Sequence, residues 1–535
     1  MSSAVQLLRD QVAKELQGAV TIIVLGASGD LAKKKTYPAL FGLYRNGFLP
    51  ENVHIVGYAR TKMDHEEYLK RVTQYIKVGV DQDKLEEFKA IASYVSGQYD
   101  DDASYQNLDK FIQESETQRG IPSGRKNRVF YMALPPSVFI PVAKGLKRNV
   151  YAKEGSNRLV VEKPFGMDSE SSNHLARELG ALFTENEVSH WKRCAQEKLL
   201  LNCCSEIFSK IYRIDHYLGK EMVKNVMNLR FANVLFGHAW DRTYVDNVQI
   251  TFKEPFGTEG RGGYFDEFGI IRDVIQNHLL QVLTLIAMER PISTDSEAIR
   301  DEKVKVLKCI QPIAIQDTLL GQYVGADGKP GYLEDETLKN KDSLTPTFAA
   351  VVCRINNERW EGVPFILKAG KALNEAKVEV RLQFHHVAGN LYGGSARNEL
   401  VIRIQPNEAV YMKFNNKQPG LSYQTIQTDL DLSYHSRYAE LSIPDAYESL
   451  ILDVLRNDHS NFVRDDELDR AWKIFTPLLH KIDAHDSDVH IKPYAYGSRG
   501  PKELEDFVKK YGYHRDTKAD YQWPLQNVNP SANKL

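Results

Sequence analysis

The sequence predicts a doubly wound α/β domain followed by a larger α+β domain with a mainly antiparallel sheet. A short β-branched run, Val20 to Leu25, ends in the glycine turn Gly26-Ala27-Ser28-Gly29 and feeds a segment with helical spacing from Lys33 to Asn46 that stops at Gly47. Further apolar runs at His54 to Gly57, Arg128 to Leu134 and Arg158 to Val161 read as buried parallel strands. From Asn225 onward the texture changes. Alternating segments at Asn247 to Phe252, Phe348 to Ile355, Lys377 to Phe384, Glu399 to Ile404 and Ala409 to Phe414 suit antiparallel strands, and Arg272 to Met288 suits a long helix. The predicted domains are therefore 20–187 and 211–535, with an atypical segment, Val188 to Lys210, between them. The charged region from Asp81 to Asp102 reads as a helix with a loop, and there is no solenoid repeat or low-complexity tract.

Composition narrows the function classes. A length of 535 residues allows more than one large core, and a net charge of -2 offers no broad field for nucleic acid or anionic membrane. Any anion specificity must be local. No apolar run approaches a membrane span, and Met1 to Val20 carries Arg9, Asp10, Lys14 and Glu15 where a signal peptide has its apolar core, so the cytoplasm is the expected location. Five cysteines in so long a chain are expected to be reduced thiols.

The turn after the first strand departs from G-x-G-x-x-G, with Ser28 and Leu31 in the second and third glycine positions. Taken alone it also suits a plain β-turn. Its context, strand before and helix after, would aim backbone N–H groups and a positive helix end at a pyrophosphate, as in a Rossmann domain; Gly26, Ala27, Ser28, Gly29, Asp30 and Leu31 are the candidate cofactor residues. After the second strand, where an NAD enzyme is expected to show an acid for the ribose hydroxyl, stand Arg60 and Thr61. A guanidinium fork suits a 2′-phosphate, which favours NADP; the alternative is a surface arginine. Glu162-Lys163-Pro164 follows a predicted strand, so Lys163 sits at the ligand-binding end of the sheet, where it can serve cofactor and substrate or simply reach solvent.

The densest chemistry is in Arg213-Ile214-Asp215-His216-Tyr217-Leu218-Gly219-Lys220-Glu221. A helical turn there would put His216 and Lys220 on one face, suited to a phosphate, with Asp215 directed elsewhere to orient a base and Gly219 letting the backbone approach a ligand. The alternative is a solvated ion-pair face. His278 has Val274 and Val282 four residues to either side, on an apolar stripe where a histidine is most often a satisfied core residue.

The nonapeptide resembles the signature of the glucose-6-phosphate dehydrogenase family, in its eukaryotic, fungal-like form. Gly26 to Lys35 resembles the same family's version of the dinucleotide fingerprint, and Phe252-Lys253-Glu254-Pro255-Phe256-Gly257 through Gly262 to His278 is similar to its substrate region. The resemblance runs from about Val20 to Trp523 and implies an NADP-dependent oxidoreductase of carbohydrate metabolism. It implies that His278, oriented by Asp215, takes the C1-hydroxyl proton of glucose 6-phosphate while hydride passes to NADP, giving 6-phosphogluconolactone. This is the first step of the oxidative pentose phosphate pathway. His216, Tyr217 and Lys220 would grip the phosphate. Lys163, Glu254, Asp273, Lys371 and Gln405 would surround the sugar. No metal is implied. The resemblance also implies a homodimer or homotetramer assembled through the large sheet. Lys377, Arg381, Arg403, Tyr411, Lys413, Asp431, Arg499, Tyr521 and Trp523 resemble a second, structural NADP site; a basic sheet face is the equal alternative.

The resemblance breaks between Glu187 and Ile211. The intervening Val188 to Lys210 holds Cys194, Cys203 and Cys204, and its ends, Val188-Ser189 and Lys210, can be encoded by intron-boundary sequences. We read it as a translated intron or gene-model error, against a genuine lineage-specific loop; a zinc site through these cysteines and His190 lacks the usual ligand spacing. Two other functions stay open on the sequence alone. One is a Rossmann oxidoreductase of unphosphorylated sugars, against which His216 and Lys220 argue. The other is a nucleotide-binding protein whose site the segment has disabled.

Overall fold

The computed structural model describes residues 3–183, 209–392, 395–421, 423–438 and 443–515. The chain divides into two compact units. The first comprises Met1–Asn225, Arg272–Lys308 and Ser442–Asp483, and the second Val226–Ile271, Cys309–Leu441 and Ala484–Leu535.

The first unit is built on six parallel strands, β1 Ala19–Leu25, β2 Asn52–Ala59, β3 Ala92–Ser96, β4 Arg128–Met132, β5 Asn157–Val161 and β6 Ser209–Arg213, in the order β3-β2-β1-β4-β5-β6. All seven residues of β1 are buried, as expected of a strand covered on both faces and lacking polar alternation. The order reverses beside β1, between β2 and β4, so a crevice opens at the carboxyl ends of the strands. Helices Tyr37–Arg45, Ala446–Leu455 and Asp465–Asp483 belong to this unit. Leu40, Leu43, Leu450 and Val454 share one core with Val24, Ile55 and Tyr212.

Three features differ from the sequence expectations. The charged stretch after Asp81 contains not only the helix Gln82–Ala90 but also edge strand β3, whose mixed burial hides it from periodicity. The parallel sheet does not end near residue 187. Its sixth strand starts at Ser209, so the last two residues of the segment set apart on sequence are strand residues in register with Asn157 and Arg158. Residues 184–208, which hold the rest of that segment, lie outside the described residues. Finally, Arg272–Lys308 and Ser442–Asp483 pack with the first unit although they follow the second unit's first strand, a long-range choice that local pattern does not encode.

The second unit carries a nine-stranded sheet: β7 Val245–Lys253, β8 Thr318–Val324, β9 Phe348–Arg354, β10 Pro364–Gly370, β11 Lys377–Phe384, β12 Glu399–Gln405, β13 Ala409–Lys417, β14 Thr425–Ser433 and β15 Ile491–Ala495. Most neighbours are antiparallel; β7 with β10 and β8 with β15 are parallel. Among the described residues, no helix is long and apolar enough to cross a membrane. Cys309 and Cys353 are free thiols.

Candidate active site

At the carboxyl edge of the parallel sheet, Gly26 closes β1 with φ +78°, and its N–H donates to the Tyr58 carbonyl at 2.8 Å. A Cβ there would stand 2.3 Å from the Ala133 carbonyl oxygen, so glycine is obligatory. The chain then enters a helix at Ala32, whose first turn is π-helical. Asp30 is not free for a ligand. Its carboxylate is paired with Lys33 at 2.8 Å and Lys34 at 3.0 Å, and hydrogen bonds from those two lysines draw its pKa down to about 2. Thr61 donates to the Ser28 hydroxyl at 3.2 Å, tying the two turns together. Arg60 is exposed at the end of β2, with its guanidinium 5.4 Å above the buried Tyr99 ring.

Two strand ends further along, Lys163 follows β5 and Asp215 follows β6. The Lys163–Pro164 bond is cis. The ammonium of Lys163 donates to the Asp273 carbonyl at 2.6 Å and to its carboxylate at 3.3 Å. Beside it, Glu162 accepts from the Tyr131 hydroxyl at 2.5 Å, and burial pushes its carboxyl up to about 7.

Asp215 and His278 meet at 2.5 Å between Oδ1 and Nδ1, both almost wholly buried. The same carboxylate oxygen accepts the Tyr217 backbone N–H at 2.9 Å. Burial opposes ionisation of Asp215. The attraction and hydrogen bond of His278, with the Tyr217 N–H, outweigh it, and the carboxyl is held below its usual range. For His278 burial dominates and lowers the pKa, against the pull of Asp215. A neutral imidazole with Nδ1 committed to a carboxylate has Nε2 available as a proton acceptor. Asp215, His216 and His278 also form the cluster with metal-ligand proximity among the described residues, but the dyad is already bonded internally, and Lys163 adds positive charge to it.

His278 lies in a π-helical stretch, Ile271–Leu279, whose wide turns bring residues five apart, such as Asp273 and His278, closer to one face than an α-helix would. Val274, His278 and Val282 are all buried, as the apolar stripe implied, although the turns around His278 are wider than the α-period assumes. Asp215 to Lys220 forms successive tight turns, with Leu218, Gly219 and Lys220 N–H groups bonding three residues back. Tyr217 stacks on the His278 ring at 4.5 Å, and the Lys220 ammonium stands 5.0 Å over Tyr217. His216 packs edge-on to His278 at 4.5 Å. Burial, then the neighbouring His278, Lys163, Lys220 and Lys35, lower its pKa well below the ordinary value. Gly219 does not face a ligand either. A Cβ there would meet the Ala446 carbonyl oxygen at 2.4 Å, so the glycine serves helix packing.

In the second unit Lys371 and Glu254 form a 2.6 Å ion pair, fixed by backbone bonds from Glu254 to Gly370 and from Leu373 to Glu254. Gln405 ends β12 opposite Val378, at the end of the sheet where β7 finishes. The same unit holds a cavity of about 1020 Å³. Lys377, Arg381, Arg403, Tyr411, Lys413 and Arg499 all line it. Asp431 stands opposite Tyr411 in register but does not line it, and Tyr521 and Trp523 lie outside the described residues. Sequence reading missed Lys253, Lys368, Arg397, Tyr513 and Arg515 in the same lining. Period-two spacing from Lys377 through Glu379 to Arg381 marks the face, whereas Lys368 stands alone in an apolar strand. Burial, reinforced by Lys253 and Arg381, lowers Lys368 to about 7.

Two family models match the chain: the glucose-6-phosphate dehydrogenase NAD binding domain over residues 23–190 and 195–225, and the glucose-6-phosphate dehydrogenase C-terminal domain over residues 227–523. The chain belongs to the glucose-6-phosphate dehydrogenase family.

It is 57% identical over 521 residues to glucose-6-phosphate 1-dehydrogenase of Emericella nidulans, covering 97% of this chain and 96% of that protein. The enzyme of that name from Saccharomyces cerevisiae is 53% identical, with 94% and 96% covered. A cytoplasmic glucose-6-phosphate 1-dehydrogenase of Arabidopsis thaliana is 54% identical, with 93% and 92% covered. Among solved structures, a glucose-6-phosphate dehydrogenase in complex with its substrate glucose-6-phosphate superposes with TM-score 0.85 at 50% identity, covering 93% of this chain and 98% of that one. That of Mycobacterium avium gives 0.76 at 31% identity, covering 95% and 99%. The N-terminal family match runs to residue 190 and resumes at 195, so it leaves out only 191–194 and covers the rest of the segment Val188 to Lys210, where the sequence reading placed a break in the resemblance.

Proposed function

We propose that this chain oxidises the C1 hydroxyl of glucose 6-phosphate to 6-phosphogluconolactone with NADP, the first step of the oxidative pentose phosphate pathway. The observation that carries the reading is the 2.5 Å contact between Asp215 and His278, a buried base held by its carboxylate. His278 Nε2 takes the hydroxyl proton, and Asp215 stabilises the imidazolium that results. Tyr217, stacked on the imidazole, holds the ring in place. Lys220, with His216 and Tyr217, binds the phosphate, and Lys163 and Asp273 bind sugar hydroxyls. The assignment of Glu254, Lys371 and Gln405 to the sugar rests on the family resemblance.

The bound nicotinamide supplies the hydride acceptor. Gly26 to Leu31 offers backbone N–H groups to its pyrophosphate, and Arg60 offers a fork to a 2′-phosphate where NAD enzymes carry an acid. The 1020 Å³ cavity in the second unit, lined by Lys377, Arg381, Arg403 and Arg499 with Tyr411, supports a second, structural NADP. A homodimer or homotetramer and a cytoplasmic location complete the reading, the latter supported by the named cytoplasmic relative.

The test is reduced-nicotinamide formation by purified protein. Rapid reduction of NADP with glucose 6-phosphate, and little with glucose or with NAD, is expected. Equal turnover of glucose would point instead to an oxidoreductase of neutral sugars, and absence of turnover would refute the mechanism.

A further inference from the structure

Among the buried polar atoms of the first unit that lack a hydrogen-bond partner in the protein, Asp215 Oδ2, Gln276 Nε2 and Gln281 Oε1 stand together. Their residues are almost fully buried, at 3%, 4% and 3% exposure. Buried groups of this kind are rare in native proteins unless water satisfies them. All three residues line one cavity of about 20 Å³, beside Lys163, Arg272 and Trp472. One water needs roughly 10–15 Å³ of such space.

We propose that Gln276 and Gln281 position the Asp215 carboxylate through a buried water. This rests on the assignment of Asp215 and His278 as the proton-accepting dyad. Donor and acceptor counts match. The water donates one hydrogen to Asp215 Oδ2 and the other to Gln281 Oε1, and it accepts from Gln276 Nε2. Reversing both amides leaves the same complement, with the two glutamines exchanging roles. A cation suits the cavity poorly, because an amide N–H, Lys163 and Arg272 border it.

The backbone explains the pairing of these side chains. Gln276 lies within the π-helical stretch and Gln281 five residues on, the spacing a π-turn brings toward one face and an α-turn separates. The function follows from the other carboxylate oxygen. Asp215 Oδ1 already serves His278 and the Tyr217 N–H, so fixing Oδ2 sets the carboxylate plane. That plane sets the orientation of the imidazole, and thus the direction in which Nε2 faces the substrate hydroxyl. Gln276 and Gln281 are positioning residues and touch no substrate.

A crystal structure of the full chain should show a density peak within about 3.2 Å of Asp215 Oδ2 and of both amides. A peak missing there, or two glutamines bonded directly to each other, would overturn the proposal even where variants fold poorly. In solution, Gln276→Met and Gln281→Met should each lower kcat roughly 10–100-fold with KM for glucose 6-phosphate nearly constant, the mark of a misaimed base. The same substitutions in an Asp215→Asn background should have almost no further effect on kcat. Undiminished losses in that background would reject the positioning role alone. An unaltered kcat in Asp215→Asn by itself would reject the dyad assignment beneath it.

Discussion

The ring of Tyr217 stacks on the imidazole of His278 at 4.5 Å while the Tyr217 backbone N–H binds the Asp215 oxygen that holds that imidazole. One residue thus fixes both members of the dyad, and it belongs to the turn that also carries His216 and Lys220.

Replacing His278 with Asn should lower kcat by about 10²–10⁴-fold, the usual worth of a positioned general base, with unchanged circular dichroism and little change in KM. Retained activity would exclude His278 as the base. The pH profile supplies a second check. The base works deprotonated, so kcat/KM rises with pH through its pKa, and because burial lowers that pKa the acid limb should lie below the ordinary histidine value of 6.5. Asp215 raises the pKa, so Asp215→Asn should move the limb further to acid while reducing the plateau.

Arg60→Ala should raise KM for NADP roughly 10–100-fold and leave KM for NAD within a factor of about two, since a charge-assisted phosphate contact contributes about 1.5–3 kcal/mol. An equal effect on both cofactors would mean that Arg60 does not read the 2′-phosphate.

Lys220→Ala should raise KM for glucose 6-phosphate by about 10–100-fold without altering the slow turnover of glucose. Loss of both activities together would assign the ammonium to the fold of the turn, where it already overlies Tyr217.

Arg499→Ala should reduce the rise in Tm that NADP confers while leaving initial-rate KM for NADP unchanged. A ligand bound only to the native state stabilises by RT ln(1 + [L]/Kd), about 2.7 kcal/mol at 100 times Kd, so weaker binding at the second cavity appears as lost protection. A KM change with intact protection would place Arg499 at the other nucleotide.

Mature transcript and native peptides should lack the codons and residues from Val188 to Lys210. A chain lacking the segment should be fully active by reduced-nicotinamide assay. Native peptides spanning the segment would establish it as a genuine part of the enzyme.

The sequence by itself determined the local frame. Continuous apolar runs marked β1, β2, β4 and β5 of the parallel sheet, because a strand buried on both faces has no polar alternation, and alternating segments marked β7, β9, β11, β12 and β13 of the second. It also marked Gly26, Arg60, Lys163 and Asp215, since glycine turns and ionisable residues at strand ends are local signals, whereas His278 was singled out only through the family resemblance. Tertiary structure alone decided what depends on distant segments or on departures from ideal helix geometry. It joined Arg272–Lys308 to the first unit, lowered the pKa of His216 through burial and neighbouring charge, and gave Gly219 to helix packing. It also replaced an α-period with a π-turn at Ile271–Leu279. Burial, electrostatic environment and helix register are sums over contacts remote in the chain, and no window of sequence contains them.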